Sequence, residues 1–132
     1  MARPPSEGLT ERETQIMEVL WREGAASADR IRQELPDDPH DSTVRTLLRI
    51  LENKGYVKHA VRGKAFVYRP AVRKASAERK AVLNIIKRFF GGSAEALVLR
   101  LIEDERVTPE QLEHLKERAS IPQSKHRTGE KS

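Results

Sequence analysis

Between Ser42 and Arg49 the chain runs Ser42-Thr43-Val44-Arg45-Thr46-Leu47-Leu48-Arg49, a mix of hydroxyls, guanidiniums and aliphatic side chains. Val44, Leu47, Leu48 and Leu51 fall at i, i+3, i+4 and i+7, the spacing of one apolar helix stripe. Ser42, Thr43, Arg45, Thr46 and Arg49 then take the other side. Such a helix fits the major groove of B-form DNA, where Arg forks onto guanine and Thr meets a base edge or a thymine methyl. A basic group follows: Lys54, Lys58, His59, Arg62 and Lys64. Arg62 and Lys64 flank Gly63 in a tight turn between two β-type runs, Tyr56 to Val61 and Ala65 to Arg69. That hairpin is suited to lie along phosphates or the minor groove, and each cation that neutralises a phosphate releases counterions. Arg45 and Arg49 alone would read as a solvated helix face. The hydroxyls beside them and the basic hairpin after them turn the reading towards DNA.

Other chemistry finds little support. The histidines are His40, His59, His114 and His126, with no i, i+4 pair among them, and there is no cysteine. No metal site, disulfide, iron–sulfur cluster or thiol nucleophile is therefore expected. Ser27, Ser42 and Ser93 stand where helices start and have no histidine–acid partners spaced around them, so they read as caps and not as nucleophiles. No Gly-rich phosphate loop occurs. The expectation is a binding protein without cofactor or catalytic residues.

Composition agrees. The chain has 132 residues, 37% hydrophobic and 34% charged, which suits a helical, well-solvated protein with a thin core and a tendency to self-associate. The net charge of +5 is unevenly placed. Residues 1–41 carry −5, residues 42–70 carry +6, residues 71–90 carry +5 and residues 91–132 carry −1. A basic middle between less basic flanks marks a local polyanion-binding face. There is no apolar run long enough to span a membrane, and the first residues lack a signal-peptide core, so the cytoplasm is the expected compartment and no membrane insertion is expected.

The elements that must position these groups are legible from caps and periods. Thr10 and Glu13 form a capping box ahead of Ile16, Met17 and Leu20, and Gly24 ends that helix. Ser27 opens a short second helix carrying Ile31 and Leu35, stopped by Pro36. Asp41 or Ser42 is the expected cap of the third, and Gly55 its stop. After the hairpin a long helix is expected from about Val72 to Phe90, with Val82, Ile85, Ile86 and Phe89 as its apolar stripe. Gly91-Gly92 breaks it, Ser93 caps the next helix, and Leu97, Val98, Leu101 and Ile102 form that helix's apolar face. Thr108-Pro109-Glu110-Gln111 starts a last helix. These two apolar faces are the expected dimerisation surface; lining a ligand pocket is the lesser alternative. The fold expected is mainly α with a small β-hairpin: a winged helix-turn-helix followed by a C-terminal helical dimerisation domain.

Leu9-Thr-Glu-Arg-Glu13, Ile16-Met-Glu-Val-Leu-Trp21, Ser42-Thr-Val-Arg-Thr-Leu-Leu-Arg-Ile-Leu-Glu-Asn-Lys-Gly-Tyr-Val57 and Phe90-Gly-Gly-Ser-Ala-Glu-Ala-Leu-Val-Leu99 together resemble the penicillinase repressor family of BlaI and MecI, which includes the copper repressor CopY. The resemblance spans roughly residues 8–118. Residues 1–8 read as a flexible arm, and 120–132, polar with Pro122 and Gly129, as a disordered tail; the resemblance implies a DNA-binding domain over 9–70 and a dimerisation domain over 71–119. It also implies a homodimeric repressor on a palindromic double-stranded operator, in an antibiotic-response system, inactivated through its C-terminal domain by way of a membrane sensor metalloprotease. By local alignment the family's cleaved bond falls near Arg100-Leu101, where the family's Asn-Phe pair is absent. The copper branch carries a C-terminal cysteine motif that this chain lacks. A winged-helix RNA-binding or ribosome-associated module is the other function that a basic middle allows; the scarcity of aromatics for base stacking counts against it.

Overall fold

A computed structural model describes residues 8–120. Along the chain run α1 (Glu11–Glu23), β1 (Ala26–Ser27), α2 (Ala28–Glu34), α3 (Asp41–Lys54), β2 (Val57–Arg62), β3 (Ala65–Pro70), α4 (Lys74–Phe89), α5 (Ala94–Glu103) and α6 (Pro109–Ala119). The expected arm before residue 8 and the expected tail after residue 120 lie outside the described residues. Contacts divide the chain into two compact units, one through Ile85 and one from Ile86, so the division falls inside α4. Ala77, on α4, packs into the core of the first unit.

The first unit is built by caps and a shared apolar interior. Thr10 accepts from the Glu13 backbone N–H, and the Glu13 carboxylate accepts from Thr10 N–H, which satisfies two free donors at the start of α1. Gly24, at φ 84°, ends the helix in a conformation that a Cβ disfavours. Ser27 caps α2. The cap of α3 differs from expectation: His40 takes that position, its Nδ1 accepting from Ser42 N–H at 3.4 Å, and Asp41 is already the first helical residue. Ile16, Met17 and Leu20 of α1, Ile31 of α2 and Val44, Leu48 and Leu51 of α3 are all sealed from solvent. Leu47, the remaining member of the α3 stripe, is only partly buried at the edge of this core.

The sheet has three antiparallel strands in the order β1-β3-β2. β2 and β3 form the expected hairpin, with Val61 opposite Phe66 and His59 opposite Tyr68. β1 is a two-residue strand whose Ala26 pairs with Tyr68. This is the winged-helix arrangement: helices α1 to α3 with a hairpin wing on one side. Trp21 closes its margin, its indole N–H donating to the Val72 carbonyl at 2.9 Å.

In the second unit Ser93 caps α5 through the Ala96 N–H, and Thr108 with Gln111 forms a capping box at α6. Neither helix buries a residue. No described helix is long and apolar enough to cross a membrane.

Candidate nucleic-acid interface

Because Val44, Leu48 and Leu51 anchor α3 in the core, the helix can turn only one side outward. Ser42, Thr43, Arg45, Thr46 and Arg49 all lie exposed on it. Lys58, Arg62 and Lys64 are exposed along the wing. Arg45 and Lys64 line one cleft of about 930 Å³, bounded also by the start of α2, the α2–α3 link, Ala65 and Phe66. The structure therefore places the head of the predicted reading helix and the tip of the predicted wing around a common opening.

Individual side chains differ in how far they are committed. Arg45 donates from Nε to Asp41 Oδ2 at 3.0 Å, one helical turn earlier. That bond, and the Asp41 charge behind it, raise the Arg45 pKa above its ordinary value. Ser42 Oγ sits 3.2 Å from His40 Nδ1. Among the described residues no hydrogen bond or ion pair engages the side chains of Arg49, Lys58, Arg62 or Lys64, which leaves them available to phosphates or bases.

His59 is tied into the protein itself. Its Nδ1 lies 2.9 Å from both Glu52 carboxylate oxygens, and its ring stacks on Phe66 with centroids 4.2 Å apart. Tyr68 stands beside it, and burial raises the Tyr68 pKa above the ordinary tyrosine value; the Glu52 charge adds to this and Arg45 opposes it. Of this aromatic face of the wing only His59 was singled out by type; exposed Phe66 and Val61, and Tyr68, were not. Its signal was period two: His59 and Val61 on one strand face Tyr68 and Phe66 on the other.

Lys54, expected as a backbone contact, is engaged within the protein. Its ammonium donates to Glu13 Oε1 at 2.7 Å and to the Gly8 carbonyl at 3.2 Å. Glu13 is 2% exposed, so its carboxylate requires a cation, and Lys54 at the end of α3 supplies it. The pair fastens the end of α3 to the start of α1.

The apolar residues assigned to dimerisation are uncovered in large part. On α4, Val82, Ile85 and Phe89 are exposed, while Ile86 is buried. On α5, Val98 is exposed, and Leu97, Leu101 and Ile102 are half-buried. Sequence spacing passed over Leu83 and Leu99, both more than half exposed and off the predicted stripes. The Arg100-Leu101 bond lies within α5, so any protease would need the end of that helix opened; Arg100 pairs with Glu103 at 3.5 Å. Among the described residues no cluster of histidines and carboxylates is arranged for a metal.

Comparison with known proteins gives a consistent family. The penicillinase repressor family model matches residues 9–120. The methicillin resistance regulatory protein MecI of Staphylococcus aureus strain N315 is 28% identical over 110 residues, covering 82% of this chain and 89% of that protein. The penicillinase repressor of Bacillus licheniformis is 25% identical over 109 residues, covering 81% and 85%. Among solved structures, the DNA-binding domain of the repressor BlaI aligns with 57% of this chain and 92% of its own length, at 26% identity and a TM-score of 0.49.

Proposed function

Because the chain belongs to the penicillinase repressor family, we propose that it is a DNA-binding transcriptional repressor that holds a palindromic operator as a homodimer. The family is one of repressors and not of enzymes. The observation that carries the reading is the outward side of α3, where Thr43, Arg45, Thr46 and Arg49 stand exposed beside a wing bearing Lys58, Arg62 and Lys64. In this role the α3 side chains read base edges in the major groove. The wing cations neutralise phosphates and fix the register.

The uncovered apolar surfaces of α4 and α5 support the dimer. A twofold pairing would cover the same patch on both chains and present two reading helices to successive turns of DNA. Joining two half-sites multiplies affinity through effective concentration. Anything that parts the protomers then releases the operator. A cut at Arg100-Leu101 by a membrane sensor metalloprotease, in an antibiotic-response system, is one such route.

The test is a gel shift at fixed salt on duplex DNA from upstream of the protein's own gene, with mixed-sequence duplex and structured RNA as competitors. Specific retention of the upstream duplex is expected, and Arg45→Ala and Thr46→Ala should each weaken it by about tenfold. Equal competition by structured RNA, or unchanged affinity in both variants, removes α3 as a reader of DNA.

A further inference from the structure

The cleft between the reading helix and the wing holds three carboxylates, Asp29, Asp38 and Asp41, on a surface assigned to polyanion binding. Two of them serve the fold. Asp29 and Asp38 both pair with Arg32, at 3.4 and 3.0 Å. Asp41 pairs instead with Arg45, a residue of the reading face. Both partners are about half exposed, so the pair is not there to rescue a buried charge.

We propose that Asp41 is a specificity-determining residue of α3: it holds Arg45 by Nε, leaving the two terminal nitrogens to fork onto a guanine, and offers its other oxygen to the exocyclic amine of a neighbouring cytosine. The inference rests on the DNA-reading role proposed above. Guanine presents O6 and N7 as adjacent acceptors in the major groove, and the guanidinium needs two parallel donors to meet them. With Nε taken by Asp41, the terminal pair is what remains, and among the described residues no hydrogen bond engages it. The pair is exposed to solvent, so it biases Arg45 towards this rotamer without fixing it. The carboxylate also accepts from cytosine N4 and from no guanine edge atom of the major groove. Its negative charge beside phosphates weakens binding wherever the correct bases are missing, so it raises discrimination more than affinity.

A plain structural role is the competing explanation, since a carboxylate in the first turn of a helix also favours the helix dipole. The two separate in base preference. Full-length protein, Arg45→Ala, Asp41→Ala and Asp41→Asn are each taken through selection from a randomised duplex pool, with affinity for mixed-sequence duplex measured alongside. The Arg45→Ala profile locates the guanine that Arg45 reads. Asp41→Ala should lose about tenfold of the enrichment at that guanine, lose the adjacent cytosine, and bind mixed-sequence duplex no less tightly. Asp41→Asn should keep the guanine, because an amide oxygen still accepts from Nε–H, and lose the cytosine. If both Asp41 variants weaken every duplex alike with an unchanged base profile, Asp41 serves the helix alone and the inference is overturned. It is equally overturned if Asp41→Ala selects the parent motif at parent strength. If the parent protein enriches no motif, the DNA-reading role of α3 fails, and this inference fails with it.

Discussion

The unit through Ile85 has an interior, and the unit from Ile86 scarcely has one. In the first, side chains from α1, α2 and α3 are fully sealed, and Tyr56, Val57 and Tyr68 close the core from the sheet side. In the second, Ile86 is buried, and α5 and α6 bury nothing. The difference is not a shortage of apolar residues, since α5 carries Leu97, Val98, Leu99, Leu101 and Ile102 within ten residues. It is one of layers. An α1 stripe meets two other helices and a sheet, whereas a ten-residue helix apolar on several sides cannot be covered by one short neighbour. On the proposed function, the sealed unit carries the DNA-reading helix, and the apolar surface left uncovered is one that a second copy would complete.

The largest effect should therefore come from the sealed core. Leu48→Ala is expected to cost about 2–5 kcal/mol. Trp21 is the only tryptophan and lies in the first unit, so its fluorescence in a urea titration follows that unit alone. Leu99→Ala should leave the Trp21 transition where it was and shift sedimentation from dimer towards monomer. Should Leu99→Ala move that transition as far as Leu48→Ala does, the contrast between the units is broken.

Cutting the chain sharpens the same contrast. A fragment ending at Ile85 retains Ala77 and the Trp21–Val72 hydrogen bond, both of which a shorter cut would endanger. It should keep the Trp21 unfolding transition, sediment as a monomer and bind a full operator at least about tenfold more weakly than the intact chain. Parent affinity in this fragment would detach repression from the C-terminal helices.

Within the first unit, Lys54 and the wing cations should separate by what their loss disturbs. Lys54→Ala leaves the Glu13 carboxylate buried without its cation, at a cost of about 1–3 kcal/mol in stability. The salt dependence of DNA binding should not change. Arg62→Ala and Lys64→Ala should do the reverse: unchanged stability, and a log–log salt slope shallower by about one unit for each lost phosphate contact. A shallower slope in Lys54→Ala would return that residue to the interface.

Lys54 also marks where sequence reading ends. Caps and periods are local, so Thr10 with Glu13, Ser27, Ser93 and Thr108 all announced their helices, and the Val44 to Leu51 stripe announced which side of α3 is hidden. The partner of Lys54 lies 41 positions away in sequence, and no local pattern points to it. β1 was invisible for a related reason: two residues are too few to show a period, and Ser27 already reads as a cap. His40 was passed over as a cap because histidine does so less often than the Asp and Ser that follow it. Leu83 and Leu99 lie outside the i, i+3, i+4 stripes, and a stripe search keeps only one face. The exposed side of α3 follows from the buried one, and the i, i+4 spacing of Asp41 and Arg45 permits their ion pair, whereas which guanidinium nitrogen Asp41 takes depends on rotamers that no spacing specifies.

The smallest expected effect concerns Tyr68, where the sheet closes the core. Burial opposes the phenolate, so the folded pKa lies above the ordinary value of 10.0. In the unfolded chain the group ionises at that ordinary value. Folding then favours the neutral form: the contribution to stability is complete below pH 10 and is lost as the pH rises from there through the folded pKa. Tyr68→Phe keeps the ring against His59 and Phe66 and removes the ionisation. Above pH 10 the stability of the parent should fall faster than that of Tyr68→Phe, with the two curves parallel at neutral pH. Both tyrosines, Tyr56 and Tyr68, precede Ile86, so phenolate absorbance during the titration reports on the first unit only. Sedimentation at the same pH follows the other unit. If the phenolate of Tyr68 forms at its ordinary pKa while Trp21 still reports a folded unit, the sheet side of the core is open to water, and the first unit is less completely sealed than its helices are.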